Sequence, residues 1–234
     1  MKEFLLHTLH SVGLSEQALP WWFWLMMLIG IISSTVVHEF GHAWMADKLG
    51  DPGPREQHRL TLNPVAHFDP LGFTLMVVTT FLKMPLGWGK PVKTDPDKFT
   101  VVGRRAGMAL VAIAGPLMNL LLAFLLSFIV RLAFGGSLGS LPSWFEYVFI
   151  GMIISTLINI LVFAENLIPV HPMDASHVVA ALLPEGLGRV YVAFMQKFGF
   201  FVLLALSYFE VIGAFLLPIV KFFIRLLLPM LPVG

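Results

Sequence analysis

The chain has 234 residues, 57% hydrophobic and 12% charged, with a mean hydropathy of +0.84; that composition excludes a water-soluble surface and reads as an integral membrane protein. Fifteen Lys and Arg against 14 Asp and Glu leave a formal net charge of +1, and no basic block interleaved with aromatics occurs, so no nucleic-acid partner is expected. The absence of cysteine excludes a disulfide framework, a thiol nucleophile and Cys-ligated zinc or iron-sulfur sites, which leaves chemistry to His, Asp, Glu and hydroxyls.

A bilayer core about 30 Å thick takes roughly 20 apolar residues of helix. The first 20 residues hold Glu3 and Glu16, and the apolar run after them is longer than a signal h-region and lacks a small-residue cleavage site, so no cleaved signal peptide is expected. The first span opens with Trp21, Trp22 and Trp24, is uncharged over residues 21–37, and continues helically through a His-Glu pair to about Ala46. Residues 57–63 alternate polar and apolar side chains up to Pro64 and predict a short strand, with a second extended piece at 89–94 that Pro91 confines to an edge. Residues 71–82 are apolar but only about a dozen long before Lys83-Met84-Pro85, which predicts a re-entrant or interfacial segment.

Residues 107–130 and 147–164 are uncharged spans, separated by a breaker-rich stretch from Gly135 to Pro142. The connection at 165–198 is too short for a separate domain. Residues 199–220 form a last span interrupted by Glu210 and Pro218. If residues 71–82 do not cross, eleven Lys and Arg collect on one face and four on the other, which makes the first face cytoplasmic. The expected fold is an all-α polytopic membrane protein of about four to six transmembrane helices, with a short re-entrant or β-hairpin element near the active site. It forms one domain over 1–234, the motif-bearing core being about 21–185, in the cell membrane.

The first span runs into His38-Glu39-Phe40-Gly41-His42, an H-E-x-x-H pattern. Residues i and i+4 share a helix face, so two imidazoles converge on one ion while Glu39 lies beside a water in the open coordination position. With 8 His and 8 Glu in the chain, random placement yields this pattern about 0.01 times. Ionisable groups inside a span are expensive and mark function; the plainer reading is a His/Glu hydrogen-bond network tying helices together. A third ligand must come from elsewhere. Of the six aspartates, Asp174 follows the 147–164 span on the face where the first span ends and is the candidate.

With these residues the chain resembles the site-2 protease family of intramembrane zinc metalloproteases. His38-Glu39-Phe40-Gly41-His42 fits the family's H-E-x-x-H. Asn166-Leu167-Ile168-Pro169-Val170-His171-Pro172-Met173-Asp174 fits its N-x-x-P-x-x-x-x-D element, and Gly115-Pro116-Leu117-Met118-Asn119 its G-P-x-x-N pattern. The resemblance covers roughly residues 21–185 and is closest to the short form without inserted peptide-binding or nucleotide-binding domains. It implies Zn2+ on His38, His42 and Asp174, Glu39 as general base, and Asn166 facing the site, where it bonds the substrate backbone or the developing oxyanion. The alternative for Asn166 is a polar clasp between helices.

The implied activity is hydrolysis of a peptide bond in or next to the transmembrane segment of a membrane-protein or peptide substrate, near the cytoplasmic face of the bilayer. An unwound substrate segment pairing with the edge strand would supply its hydrogen bonds. Two departures stand out: Ala175 follows Asp174 where the family has Gly, and Glu165 precedes Asn166 where an apolar residue is usual. They motivate one rival reading, a catalytically weak homologue serving as a membrane scaffold; a metal transporter is the other. His171 is either a contact to metal or substrate or an ordinary loop residue. Asp69 before Pro70 reads first as a turn or cap, and with His67 as a second pair near the site.

Overall fold

The computed structural model of the protein describes residues 21–81, 89–135, 143–229 and 231. The expectations for residues 1–20, for Lys83-Met84-Pro85 and for most of the breaker-rich stretch lie outside these residues. The helices are α1 (Trp21–Lys48), α2 (Gly53–Glu56), α3 (Pro70–Phe81), α4 (Arg104–Gly135), α5 (Ser143–Glu165), α6 (Ala175–Leu182), α7 (Glu185–Tyr208) and α8 (Val211–Leu227), with 3-10 turns at Pro64–His67 and Pro96–Lys98. Among the described residues, four stretches are long and apolar enough to cross a membrane: Trp21–Lys48, Arg104–Ala133, Tyr147–Glu165 and Glu185–Tyr208. The 12 described residues of α3 reach about 18 Å.

Two expectations need correction. No strand forms among the described residues. Gln57 is the C-cap of α2, His58 turns the chain at φ 54, and the buried Arg59 guanidinium donates to the carbonyls of Ala66 and Lys90. The extended piece at 89–94 finds side chains in place of a strand partner. The Gln57 amide accepts from Lys93 N–H at 3.3 Å and donates to Lys93 C=O at 2.8 Å. Alternation over so few residues does not decide burial: Gln57 is exposed and Arg59 buried, and both side chains take backbone groups a ladder would use.

The last span is also shifted. The chain breaks at Glu210, a non-glycine residue in the left-handed region at φ 58, so α7 begins at Glu185 inside what composition suggested was a connection, and α8 is a separate helix.

The chain divides into two compact units: one of residues up to Ser34, Asn119–Ile168 and from Phe198 onward, the other of Thr35–Met118 and Pro169–Lys197. In the first, Phe23 and Ile154 anchor a cluster with Trp22, Met26, Met27, Ile150 and Ile158. Gly30 lets α1 approach α5 closely: a Cβ there would stand 2.7 Å from Ile158 Cδ1. Asn119 on α4 donates to Ser34 O and Oγ, both at 2.9 Å, and to Asn159 Oδ1 at 2.8 Å, so one amide ties three helices through groups that are almost fully buried. α8 packs on α5 with a stripe of Leu216, Val220, Ile224 and Leu227, spaced by about one turn.

In the second unit, Ala46, Leu49 and Val111 form a core with Met45, Phe99 and Val102. α1 ends where Gly50 takes φ 109, a conformation open to glycine, and Thr100 N–H donates to Leu49 O at 2.9 Å. Asp51, fully buried, accepts from Gly53 N–H at 2.9 Å and Asp95 N–H at 2.7 Å. That carboxylate pins the turn after α1 to the segment leading into α4.

Candidate metal centre

The H-E-x-x-H pattern lies in the C-terminal half of α1, so helical spacing alone stacks His38 over His42. Their Nε2 atoms are 3.0 Å apart. Asp174 Oδ2 is 3.1 Å from His38 Nε2 and 3.4 Å from His42 Nε2. A tetrahedral ion with donors at about 2.0–2.1 Å holds those donors about 3.3–3.4 Å from one another. The three atoms therefore match one face of such a polyhedron, and the set of two imidazoles and one carboxylate suits zinc.

Neighbours orient the ligands. His42 Nδ1 is 2.8 Å from Val111 O; a carbonyl only accepts, so Nδ1 carries the hydrogen and, in the neutral ring, Nε2 keeps its lone pair for a metal. Pro116 in α4 has no N–H to close the helical turn one residue along from that carbonyl. A Cβ on Gly115 would fall on the His42 ring and within 3.0 Å of His38 Cε1; one on Gly41 would lie 2.6 Å from Ala114 O. Both glycines are what allows α4 to pass the imidazoles so closely.

Asp174 is the N-cap of α6 but makes no side-chain cap bond. Its carboxylate is turned to the imidazoles instead of to its own helix. Burial would push that carboxyl up, yet the His38 and His42 imidazoles beside it override burial and hold it well below the usual carboxylate range. Tyr191 of α7 donates to Pro169 O at 2.5 Å and Arg105 of α4 to the carbonyls of Ala180, Ala181 and Leu183, bracing both ends of the segment that presents Asp174.

Glu39 Oε2 accepts from Val92 N–H at 3.1 Å. Asn166 belongs to the other unit, just past the end of α5, and its amide donates to Val162 O at 2.9 Å. Asp69 caps α3, accepting from Gly72 N–H at 2.7 Å, and buried His67 bonds Thr61 O at 2.8 Å, both structural roles. The His171 ring faces His177 with centroids 6.4 Å apart and is not one of the three converging ligands. His177 went unnoticed in the sequence, although it lies three residues past Asp174, one helical turn along. Burial holds its imidazole below the ordinary value despite the nearby Asp174 carboxylate.

A protein of Bacillus subtilis named "Putative zinc metalloprotease YwhC" is 35% identical over 180 residues, covering 77% of this chain and 78% of that one. The chain belongs to the site-2 protease family. Proteins named "Putative zinc metalloprotease Rip2" are more distant: that of Mycolicibacterium smegmatis is 29% identical over 64% of this chain and 54% of its own length, that of Mycobacterium tuberculosis 35% over 47% and 41%. No family model and no solved structure matches the chain. Membership in a zinc metalloprotease family and the donor set agree that the cofactor is Zn2+.

Within this family the Ala175 departure costs little. Ala175 is the first residue of α6, and the non-glycine residues with positive φ are His58 and Glu210 among the described residues, so no glycine is demanded there. Glu165 ends α5, its carbonyl accepting from Ile168 N–H at 3.0 Å.

Proposed function

We propose that the protein hydrolyses a peptide bond in or next to the transmembrane segment of a membrane-protein substrate, with zinc on His38, His42 and Asp174 and the site toward the cytoplasmic face. The observation that carries this reading is the convergence of those three side chains with Glu39 on the same helix turn. Bound there, zinc supplies a Lewis acid and brings the pKa of a coordinated water to about 7. Glu39 accepts the water's proton and returns it to the leaving amine, its carboxylate oriented by Val92 N–H. Val111 O holds His42 in the ligating tautomer throughout. Asn166 bonds the substrate backbone or the oxyanion; Asn166→Ala is expected to lower kcat by about 10²–10³-fold with zinc retained.

The cytoplasmic orientation is supported by the excess of Lys and Arg on the loops of that face. The test is cleavage of single-span substrates in liposomes, with product termini mapped by mass spectrometry. Cuts in or beside the substrate's span support the proposal; cuts confined to distant soluble loops overturn it.

A further inference from the structure

Next to the metal centre, with His177 in its lining, the second unit has an open cavity of about 410 Å³. Two membrane-spanning stretches begin at it: Arg104 and Arg105 open α4, and Arg189 lies one turn into α7. Helices that start a crossing together do so at the lipid headgroups. The lining is divided by chemistry. Met108, Val192 and Ala193 give it an apolar part, and three guanidinium groups face two carboxylates, Glu185 in the lining and Asp97 on Arg104, a net charge of +1 from three arginines less Glu185 and Asp97.

The arginines are not equally committed. Arg105 is fixed, its Nη2 on the carbonyls that end α6. Arg104 and Arg189 are 70% and 78% exposed, paired with Asp97 at 2.6 Å and Glu185 at 3.8 Å. Exposed pairs of this kind exchange readily for another anion, and a guanidinium fork suits phosphate oxygens.

We propose that this cavity is a binding site for an anionic phospholipid, its phosphodiester held between Arg104, Arg105 and Arg189 and its chains running from Val192 and Ala193 along α7. A soluble phosphate or a soluble acidic peptide would satisfy the arginines but not the apolar lining at the start of two candidate spans. The amphiphile matches both.

The site is tested by binding, not by cleavage, so failure of the peptidase reading leaves it standing. The full chain is placed in nanodiscs of phosphatidylcholine with a minor share of phosphatidylglycerol, extracted gently, and its retained lipids are counted by native mass spectrometry. Phosphatidylglycerol is expected to be enriched about tenfold over its share of the bilayer. The double variant Arg104→Gln/Arg189→Gln is expected to return to the bilayer ratio, and the Lys/Lys pair to keep most of the enrichment. The unaltered protein compares the two lipids with no variant involved, so a misfolded variant does not blunt the test. Equal retention of both lipids, unchanged enrichment in the Gln pair, or displacement of phosphatidylglycerol by millimolar inorganic phosphate or by a soluble acidic peptide would overturn it.

Discussion

α1 carries two polar clusters a single turn apart in sequence, one at Ser34 and one beginning at His38. The Ser34 cluster closes on itself: amide hydrogens of Asn119 meet the oxygens of Ser34 and Asn159, and Asn159 donates to Ser155 O at 2.8 Å. Each of these bonds pairs a donor with an acceptor, which is what holds apolar helices together. In the His38 cluster, His42 Nε2 and a carboxylate oxygen, acceptors both, lie 3.4 Å apart. Such a meeting is favourable only around a proton or a cation. Buried polar residues in a span are therefore not one class; the balance of donors and acceptors separates a clasp from a metal site.

The largest effect that tests this contrast is loss of a ligand. His42→Ala or Asp174→Ala is expected to abolish stoichiometric zinc and cleavage together, measured by metal analysis and product formation; full zinc in either variant would break the comparison. Next, Gly115→Val puts side-chain atoms where His42 stands and is expected to weaken zinc by about 10- to 100-fold, the range for disturbed neighbours of metal ligands. A chelator competition titration reads this directly.

Smaller is the effect of opening the clasp. Asn119→Ala is expected to cost about 1 kcal/mol of stability while zinc stays at one per chain; a stability assay in detergent beside metal analysis separates the two. Smallest is Ala175→Gly. Because residue 175 is helical, glycine brings no relief of strain and costs about 1 kcal/mol at most, and cleavage should stay within about twofold. A sharp rise would revive the reading of a catalytically weak scaffold.

The convergence of three donors was legible because it is tied to spacing: His38 and His42 at i and i+4, and Asp174 in a motif following a span. The reasons for Gly41 and Gly115 were not, since a glycine's role depends on which helix passes it, and sequence does not state the approach distance. The break at Glu210 was blurred because the run around it is apolar on both sides, and α7 starts in a polar stretch that hides helicity from a hydropathy reading. The strand at 57–63 failed for a different cause: Gln57 and Arg59 use backbone groups that the alternation assigned to a ladder. His177 lacked any motif of its own, and its place beside Asp174 follows only from α6.

The central claim is that α1 presents zinc ligands and a base as one device. The most direct test is zinc content and cleavage of a single-span substrate, measured on the same samples of unaltered protein and Glu39→Gln. One zinc per chain in both, with cleavage lower by at least about 10²-fold in the variant, is the predicted result. Cleavage that survives Glu39→Gln, or unaltered protein that holds no zinc, would contradict the account.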